Sequence, residues 1–337
     1  MIHRASNPDL SHQTLALGVD IGGTKIAAGL VDGDGTVHHQ VRAPMISHGD
    51  AAAGLAAVNA AIAAVLGNMP GNGNRARLRG IGICSPGPLD PQAGVIINPP
   101  NLPCWRNFPL AAEVRQAHRI PVKLDNDANA AALAEALWGA GRGYRNVFYA
   151  CIGTGIGTGI VFDGRIYHGR TGAGAEGGHM SIDYRGPACA CGKPGCIESM
   201  ASGPAIARIA RERVQRHPAR ASGLLELTEG KLDNLNSELV GKAYAAGDPL
   251  AREILAEVIS YLSLWLGNII DLLEPDVILI GGGVATMLEP LFADIRDRLP
   301  RCSVNTRCQE IPLLAASYGA DAGIAGGAAL CSAGISG

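Results

Sequence analysis

A chain of 337 residues that is 47% hydrophobic and 17% charged is long enough to bury two cores rather than one. Its formal net charge of −2 lacks the basic excess of a nucleic-acid or membrane-surface binder, so neither partner is expected. Nine cysteines, an odd and mostly scattered set, argue against an extracellular disulfide framework; with no apolar leader in MIHRASNPDLSHQ and no run near the ~18 apolar residues of a membrane span, a cytoplasmic address is expected.

In chain order, LALGVD (15–20) is an apolar strand ending in the turn IGGTK, and IAAGLV (26–31), the turn DGDG and TVHHQV continue it as a meander. An alanine-rich helix over about 51–66 follows, then an exposed loop, GNMPGNGNRAR (67–77), and the strand GIGIC (80–84). A helix near 109–118, the strand VKL and a helix from about Ala128 to Trp138 complete the first half. At residue 147 the opening pattern recurs as VFYACI, GTGIGTG, IVFDG and RIYHG, which indicates a duplicated domain. Helices near 203–216 and 248–272, an exposed loop HPARASG (217–223), the strand DVILI (276–280) running into GGG and a closing helix near 319–332 finish an α/β order.

Glycines after a strand let backbone N–H groups approach an anion, so two such turns, one in each repeat, could grip the phosphates of one nucleotide. Neither IGGTK nor GTGIGTG is a P-loop or a dinucleotide fingerprint, because each is followed by a strand and not a helix. Asp20, at the strand end beside the first turn, could hold Mg2+ through water. In LDNDANAAALAE (124–135), Asp125 and Asp127 flank Asn126 just ahead of a helix. One acid could serve as the helix cap; Asp127, with the helix N-terminus behind it, is the expected general base, and Asp125 the next choice. Glu176 and Glu198 could accept hydrogen bonds from sugar hydroxyls.

Between those glutamates, CACGKPGCIE (189–198) places Cys189, Cys191 and Cys196 in a C-x-C-x4-C spacing, with Gly192 and Gly195 allowing tight turns that aim the sulfurs at one point. Thiolates favour zinc, and His179 is the nearest candidate for a fourth ligand. Four protein ligands would close the site to water and make the zinc structural.

DIGGTK, LDNDANAAALAE, GTGIGTG, the E-x-G-H of Glu176 to His179 and C-x-C-G-x-x-G-C-x-E, in this order, resemble the ROK family of bacterial sugar kinases and repressors over nearly the whole chain. The resemblance implies an α/β, two-lobed actin-like or hexokinase-type fold, ribonuclease H-like and duplicated, with an interlobe active-site cleft. It puts residues 1–127 and 318–337 in one lobe and 128–317, with the zinc loop, in the other. It also implies transfer of the γ-phosphate of ATP to a hexose, with Asp127 as base and Asn126, Glu176, His179 and Glu198 as hexose ligands. His179, Cys189, Cys191 and Cys196 become the zinc site. Gly22, Gly23, Thr24 and Lys25 with Gly153, Thr154 and Gly155 become the phosphate turns, and Gly281 and Gly282 the adenosine-side loop. A homodimer or homotetramer is implied as well. The family commonly has Phe or Leu where this chain has Gly177, and that glycine is expected to loosen the loop. SPGPLDPQAGVIINPPNLPCW (85–105) resembles the glucokinases of the family, so the 6-hydroxyl of D-glucose is the expected acceptor, with N-acetylglucosamine or N-acetylmannosamine as the alternative. ROK repressors carry an N-terminal helix-turn-helix domain, for which the 14 residues ahead of Leu15 are too few, so a regulator is not expected.

Overall fold

The computed structural model describes residues 14–69, 77–220 and 222–332. The stretch read above for a leader, residues 70–76 of the first loop, residue 221 of the second and residues 333–337 lie outside the described residues. The described chain divides into two compact units, one holding the residues up to Arg142 with Gly164–Gly174 and those from Ala320, the other Gly143–Asp163 and Ala175–Gly319.

The first unit opens with strands β1 (Leu15–Ile21), β2 (Lys25–Val31) and β3 (Val37–Pro44), helix α1 (Ala51–Gly67) and strand β4 (Leu78–Ser85). A small hairpin of β5 (Leu89–Asp90) and β6 (Val95–Ile96), helix α2 (Leu110–His118), strand β7 (Val122–Asn126) and helix α3 (Asp127–Leu137) follow. The sheet has the order β3-β2-β1-β4-β7, antiparallel through the meander and parallel from β1 to β7. In the second unit, β8 (Asn146–Ile152) and β9 (Ile156–Phe162) form the repeated hairpin; the short strand β10 (Arg165–Ile166) that follows lies in the Gly164–Gly174 segment of the first unit. Helices α4 (Ile197–Ala201), α5 (Gly203–Arg216), α6 (Ser222–Leu227), α7 (Ser237–Ala245) and α8 (Pro249–Leu273) lead to β11 (Val277–Gly281), α9 (Ala285–Leu288), α10 (Phe292–Arg298) and β12 (Leu313–Ala315). The order β10-β9-β8-β11-β12 repeats the first sheet, again with an antiparallel hairpin followed by parallel strands. The chain ends on α11 (Ala322–Ala329), which belongs to the first unit.

Side chains alternate across a strand, so β1 and β4 present two different faces. Leu17, Val19, Ile21, Ile81 and Ile83 fall on one face and build a fully buried core with Val58, Ile62 and Val65 of α1 and Leu110 and Val114 of α2. The other face carries Gly18 and Gly82, and α11 lies on it at backbone distance: a β-carbon on Gly18 would sit 1.8 Å from the Ile324 carbonyl oxygen, and one on Gly82 1.7 Å from that of Gly327. Gly326, on the α3 side of α11, is close as well, its added β-carbon meeting Ala130 backbone at 2.7 Å. Small residues on these four elements thus hold α3 against α11 within the first unit, whose first segment runs to Arg142.

Helix α8 starts where Asp248 accepts a hydrogen bond from the Ala251 N–H at 2.8 Å and Pro249 takes the first turn. By length and composition it could cross a membrane, but Ile254, Val258, Leu262, Trp265 and Ile269 are the spine of the second core, and Trp265 meets Phe148 of β8 edge-on at 5.7 Å.

Candidate active site

Open α/β sheets gather ligands at the carboxyl ends of their parallel strands, and those ends hold the chemistry of the first unit. The register Asp20↔Cys84↔Asp125 puts three polar side chains in a row across β1, β4 and β7. Cys84 donates to the Gly323 carbonyl at 3.1 Å and lies 3.6 Å from Asp20 Oδ1. Burial, then the fields of Asp20, Asp127 and Asp125, push the Cys84 thiol well up, so it stays protonated beneath the carboxylates. Burial also raises Asp20, against the Cys84 hydrogen bond and the Arg42 field. A desolvated carboxylate of this kind suits a nearby dication, which would restore its ionised form.

The helix cap at the end of β7 is neither acid. Asn126 Oδ1 accepts from the N–H groups of Ala128 at 2.9 Å and Asn129 at 3.3 Å, leaving its amide nitrogen on the side of Gly87. Asp127 is the first residue of α3, exposed, with Oδ1 accepting from the Ala128 N–H at 2.8 Å. Asp125, the second choice for the base, is buried at 4% exposure and fully engaged: Oδ1 accepts from Asn126 N–H at 2.7 Å and Asn129 Nδ2 at 3.2 Å, and Oδ2 lies 2.6 Å from His168 Nε2.

Sequence reading missed His168, which sits in a segment read only as the strand RIYHG. Its hydrogen bond to Asp125 raises its pKa above the ordinary 6.5, partly opposed by burial and aided by the carboxylate field. A histidine raised in the folded state contributes stability that is complete below the unfolded pKa of about 6.5 and is lost as pH rises through the folded value. His168→Gln should therefore cost more unfolding free energy at about pH 5.5 than at about pH 9. Denaturant titrations of both proteins measure the gap, and an equal gap at the two pH values would remove the imidazolium–carboxylate pair.

In the β1–β2 turn the Gly22 N–H bonds the Lys25 carbonyl at 2.8 Å, and Gly23 passes so close to Asn101 that a β-carbon would lie 2.9 Å from its carbonyl oxygen. Thr24 accepts from the Met45 N–H at 2.9 Å, and the Lys25 side chain is exposed. In the second unit, the Gly153 N–H bonds the Gly155 carbonyl at 2.9 Å, and the Gly153 carbonyl accepts from Gly203 at the start of α5 at 2.8 Å. Gly153, Thr154 and Gly203 border a cavity of about 1010 Å³ completed by Asn236, Ser237 and Gly283. Gly281 and Gly282 are not among its lining residues. A β-carbon on Gly281 would meet the Tyr149 hydroxyl at 2.8 Å and one on Gly282 the Ile152 carbonyl at 2.4 Å, so both glycines serve strand packing, and the cavity wall begins at Gly283 and Val284.

Gly177 does not loosen its loop. Its N–H donates to Thr158 Oγ1 at 2.7 Å, its carbonyl accepts from Trp265 Nε1 at 3.0 Å, and Thr158 in turn donates to the Ala175 carbonyl. A β-carbon there would lie 2.9 Å from Thr158 Oγ1. The pinned turn Gly177–His179 is flanked by exposed Glu176 and followed by His179 Nδ1, 3.6 Å from Cys189 Sγ and 3.9 Å from Glu198 Oε1. Glu198, in the first turn of α4, accepts from the Ile156 N–H at 2.9 Å through Oε2.

The ligand atoms of His179, Cys189, Cys191 and Cys196 all lie within 4.8 Å of one another. Gly192 and Gly195 turn the chain with φ of +91° and +64°, as the motif requires. The Cys191–Cys196 sulfur distance is 3.6 Å and the Cys189–His179 separation 3.6 Å. Tetrahedral zinc with its usual bond lengths would set these edges at roughly 3.8 and 3.6 Å, so these two separations are consistent with such an ion.

Duplicated sheets of this topology define the actin-like sugar-kinase fold. The chain matches the ROK family model over residues 16–333 and belongs to the ROK family. It is 34% identical over 319 residues to a glucokinase of Streptomyces coelicolor, covering 94% of this chain and 97% of that one. The structure of a ROK family glucokinase from Streptomyces griseus, solved in complex with glucose and AMPPNP, matches at a TM-score of 0.79 and 34% identity, covering 94% of this chain and 98% of that one. A ROK hexokinase from Thermus thermophilus matches at 0.73 and 33% identity, covering 94% and 97%.

Proposed function

We propose that this protein transfers the γ-phosphoryl group of ATP to the 6-hydroxyl of D-glucose. The observation that carries the reading is Asp127, an exposed carboxylate at the start of α3 whose neighbour Asp125 is fully engaged, in a chain that is 34% identical to a glucokinase along almost its whole length. Asp127 takes the proton of the attacking hydroxyl, and the Asn126 amide nitrogen donates to a sugar oxygen while its Oδ1 stays on the helix cap. Glu176, Glu198 and His179 bind sugar hydroxyls; with Nδ1 turned toward the sulfurs, His179 keeps Nε2 for the sugar.

Backbone N–H groups of the two glycine turns other than those of Gly22 and Gly153, which already donate within their turns, bind phosphate oxygens, and the cavity beyond Gly153 receives the nucleoside. Asp20 holds Mg2+ through water, where the ion supplies charge neutralisation for the phosphates. His179, Cys189, Cys191 and Cys196 hold a zinc whose part is structural, since all four positions are filled by the protein.

Acceptor choice turns on C2. A pocket shaped for a hydroxyl excludes an acetamide sterically, whereas one built for the acetamide loses contacts with glucose. Comparing kcat/KM for glucose, mannose, N-acetylglucosamine and N-acetylmannosamine under identical ATP and magnesium should rank glucose first. An N-acetylated sugar ahead by tenfold, about 1.4 kcal/mol of transition-state preference, would reject glucose as the acceptor while leaving the kinase chemistry in place.

A further inference from the structure

Asp125 is held by donors on both of its oxygens, and one of them comes from outside its own strand and the helix that follows. A carboxylate only accepts, so the groups around it must all donate. The Asn126 N–H and Asn129 Nδ2 supply Oδ1 at 2.7 and 3.2 Å, and His168 supplies Oδ2 at 2.6 Å, which puts a ring proton on Nε2. Asn129, buried at 2% exposure, turns its nitrogen to Asp125 although this leaves its Oδ1 buried with no partner among the described residues. An unpaired buried acceptor is costly, so the arrangement is organised around keeping Asp125 satisfied. His168 is braced in turn. Its carbonyl accepts from the Gly174 N–H at 2.9 Å, and a β-carbon on Gly172, whose φ is +90°, would lie 2.6 Å from Pro91 Cδ, so the loop that carries His168 closes on itself and packs on the turn between β5 and β6.

We propose that His168 is a positioning residue for phosphoryl transfer: its bond to Asp125 fixes the end of β7, and through it the first turn of α3, so that Asp127 meets the attacking hydroxyl. The proposal rests on Asp127 being the base. The route between them is short. Asp125 holds the Asn126 N–H, Asn126 Oδ1 caps the N–H groups of Ala128 and Asn129, and Asp127 lies between cap and capped residues. Without the His168 donor, one oxygen of a buried carboxylate loses its partner, and the strand end must shift to find another or Asp125 must take up a proton. A displacement of about 1 Å in a reacting group can cost about a hundredfold in rate.

The test is single-turnover sugar phosphorylation by the full chain carrying His168→Ala or His168→Gln, each shown by thermal unfolding to be folded at the assay temperature. His168→Ala should lower the chemical rate about tenfold or more while changing sugar KM by about threefold or less, whereas His168→Gln, whose amide can still donate to Asp125, should stay within about threefold of wild type. Because His168 borders a cavity of about 510 Å³, added imidazole should recover part of the rate lost in the alanine variant. In an Asp127→Asn background, His168→Ala should cost less than about twofold, since no base is left to position. A pair that only stabilises the fold would not show that dependence on Asp127. His168→Met, which fills the space without a donor, makes the same comparisons if the alanine variant does not fold. A folded alanine or methionine variant with the wild-type rate, an equal loss in the glutamine and alanine variants, or the same loss with and without Asp127 would overturn the positioning role. A wild-type rate for Asp127→Asn alone would instead remove the base on which the proposal rests.

Discussion

Asp127→Asn should lower kcat for sugar phosphorylation by roughly a hundredfold or more while changing sugar affinity much less. The substitution keeps the side-chain shape and an oxygen that can still accept from the Ala128 N–H, and the cap supplied by Asn126 is untouched, so α3 should start where it does now. What is lost is the proton acceptor. The positive end of the α3 dipole favours an anion at this position, which suits a carboxylate that must be ionised before each turnover. Rapid-quench single turnover isolates the chemical step, and a rate near wild type would remove Asp127 from the base role. The usual fallback, the neighbouring acid, is already constrained: Asp125 is buried with three partners, so Asp125→Asn should show itself first as lost stability. The two aspartates, two residues apart in sequence, are separated in role by burial and by His168.

That separation also marks where the sequence stops being legible. Strand, glycine turn and helix start are local patterns, and the repeated β1–β2 and β8–β9 hairpins, helix α1 and helix α8 fall where apolar periodicity and capping residues put them. The Cys189–Cys196 loop is local too, since its glycines and sulfurs lie within a few residues of one another. Interactions between distant segments have no such signature. His168 meets Asp125 across 43 residues of chain, and Gly18 and Gly82 are required only because α11 returns from the far end to lie on them. The same limit explains Gly177, Gly281 and Gly282: each reads as a flexible or ligand-facing position, and each is glycine because Thr158, Tyr149 or Ile152 occupies the space a side chain would need. A signal was present for the cap, since Asn is as good an N-cap as Asp, but two acids of the same sequence competed for the assignment.

Purified protein should contain about one zinc per chain, and Cys191→Ser should release it, because a neutral hydroxyl replaces a thiolate. Cys191 is the exposed member of the set, whereas Cys189 and Cys196 are buried, so the substitution removes a ligand without opening a hole in the core. Loss of the metal should then be felt at Glu198 and His179. Cys189 Sγ lies 3.7 Å from Glu198 Oε1 and 3.6 Å from His179 Nδ1, and once the ion is gone only such weak contacts hold the imidazole in that orientation. Glu198 itself should stay in place through its bond from the Ile156 N–H, so the expected effect is a weaker sugar affinity, of order tenfold to a hundredfold for a lost supporting contact, and a much smaller change in kcat at saturating sugar. Metal analysis by mass spectrometry, paired with sugar titrations of the wild-type and Cys191→Ser proteins, measures both halves. Fully active enzyme carrying no zinc would dismiss the structural metal, and a zinc-free variant with unchanged sugar affinity would break its connection to Glu198 and His179.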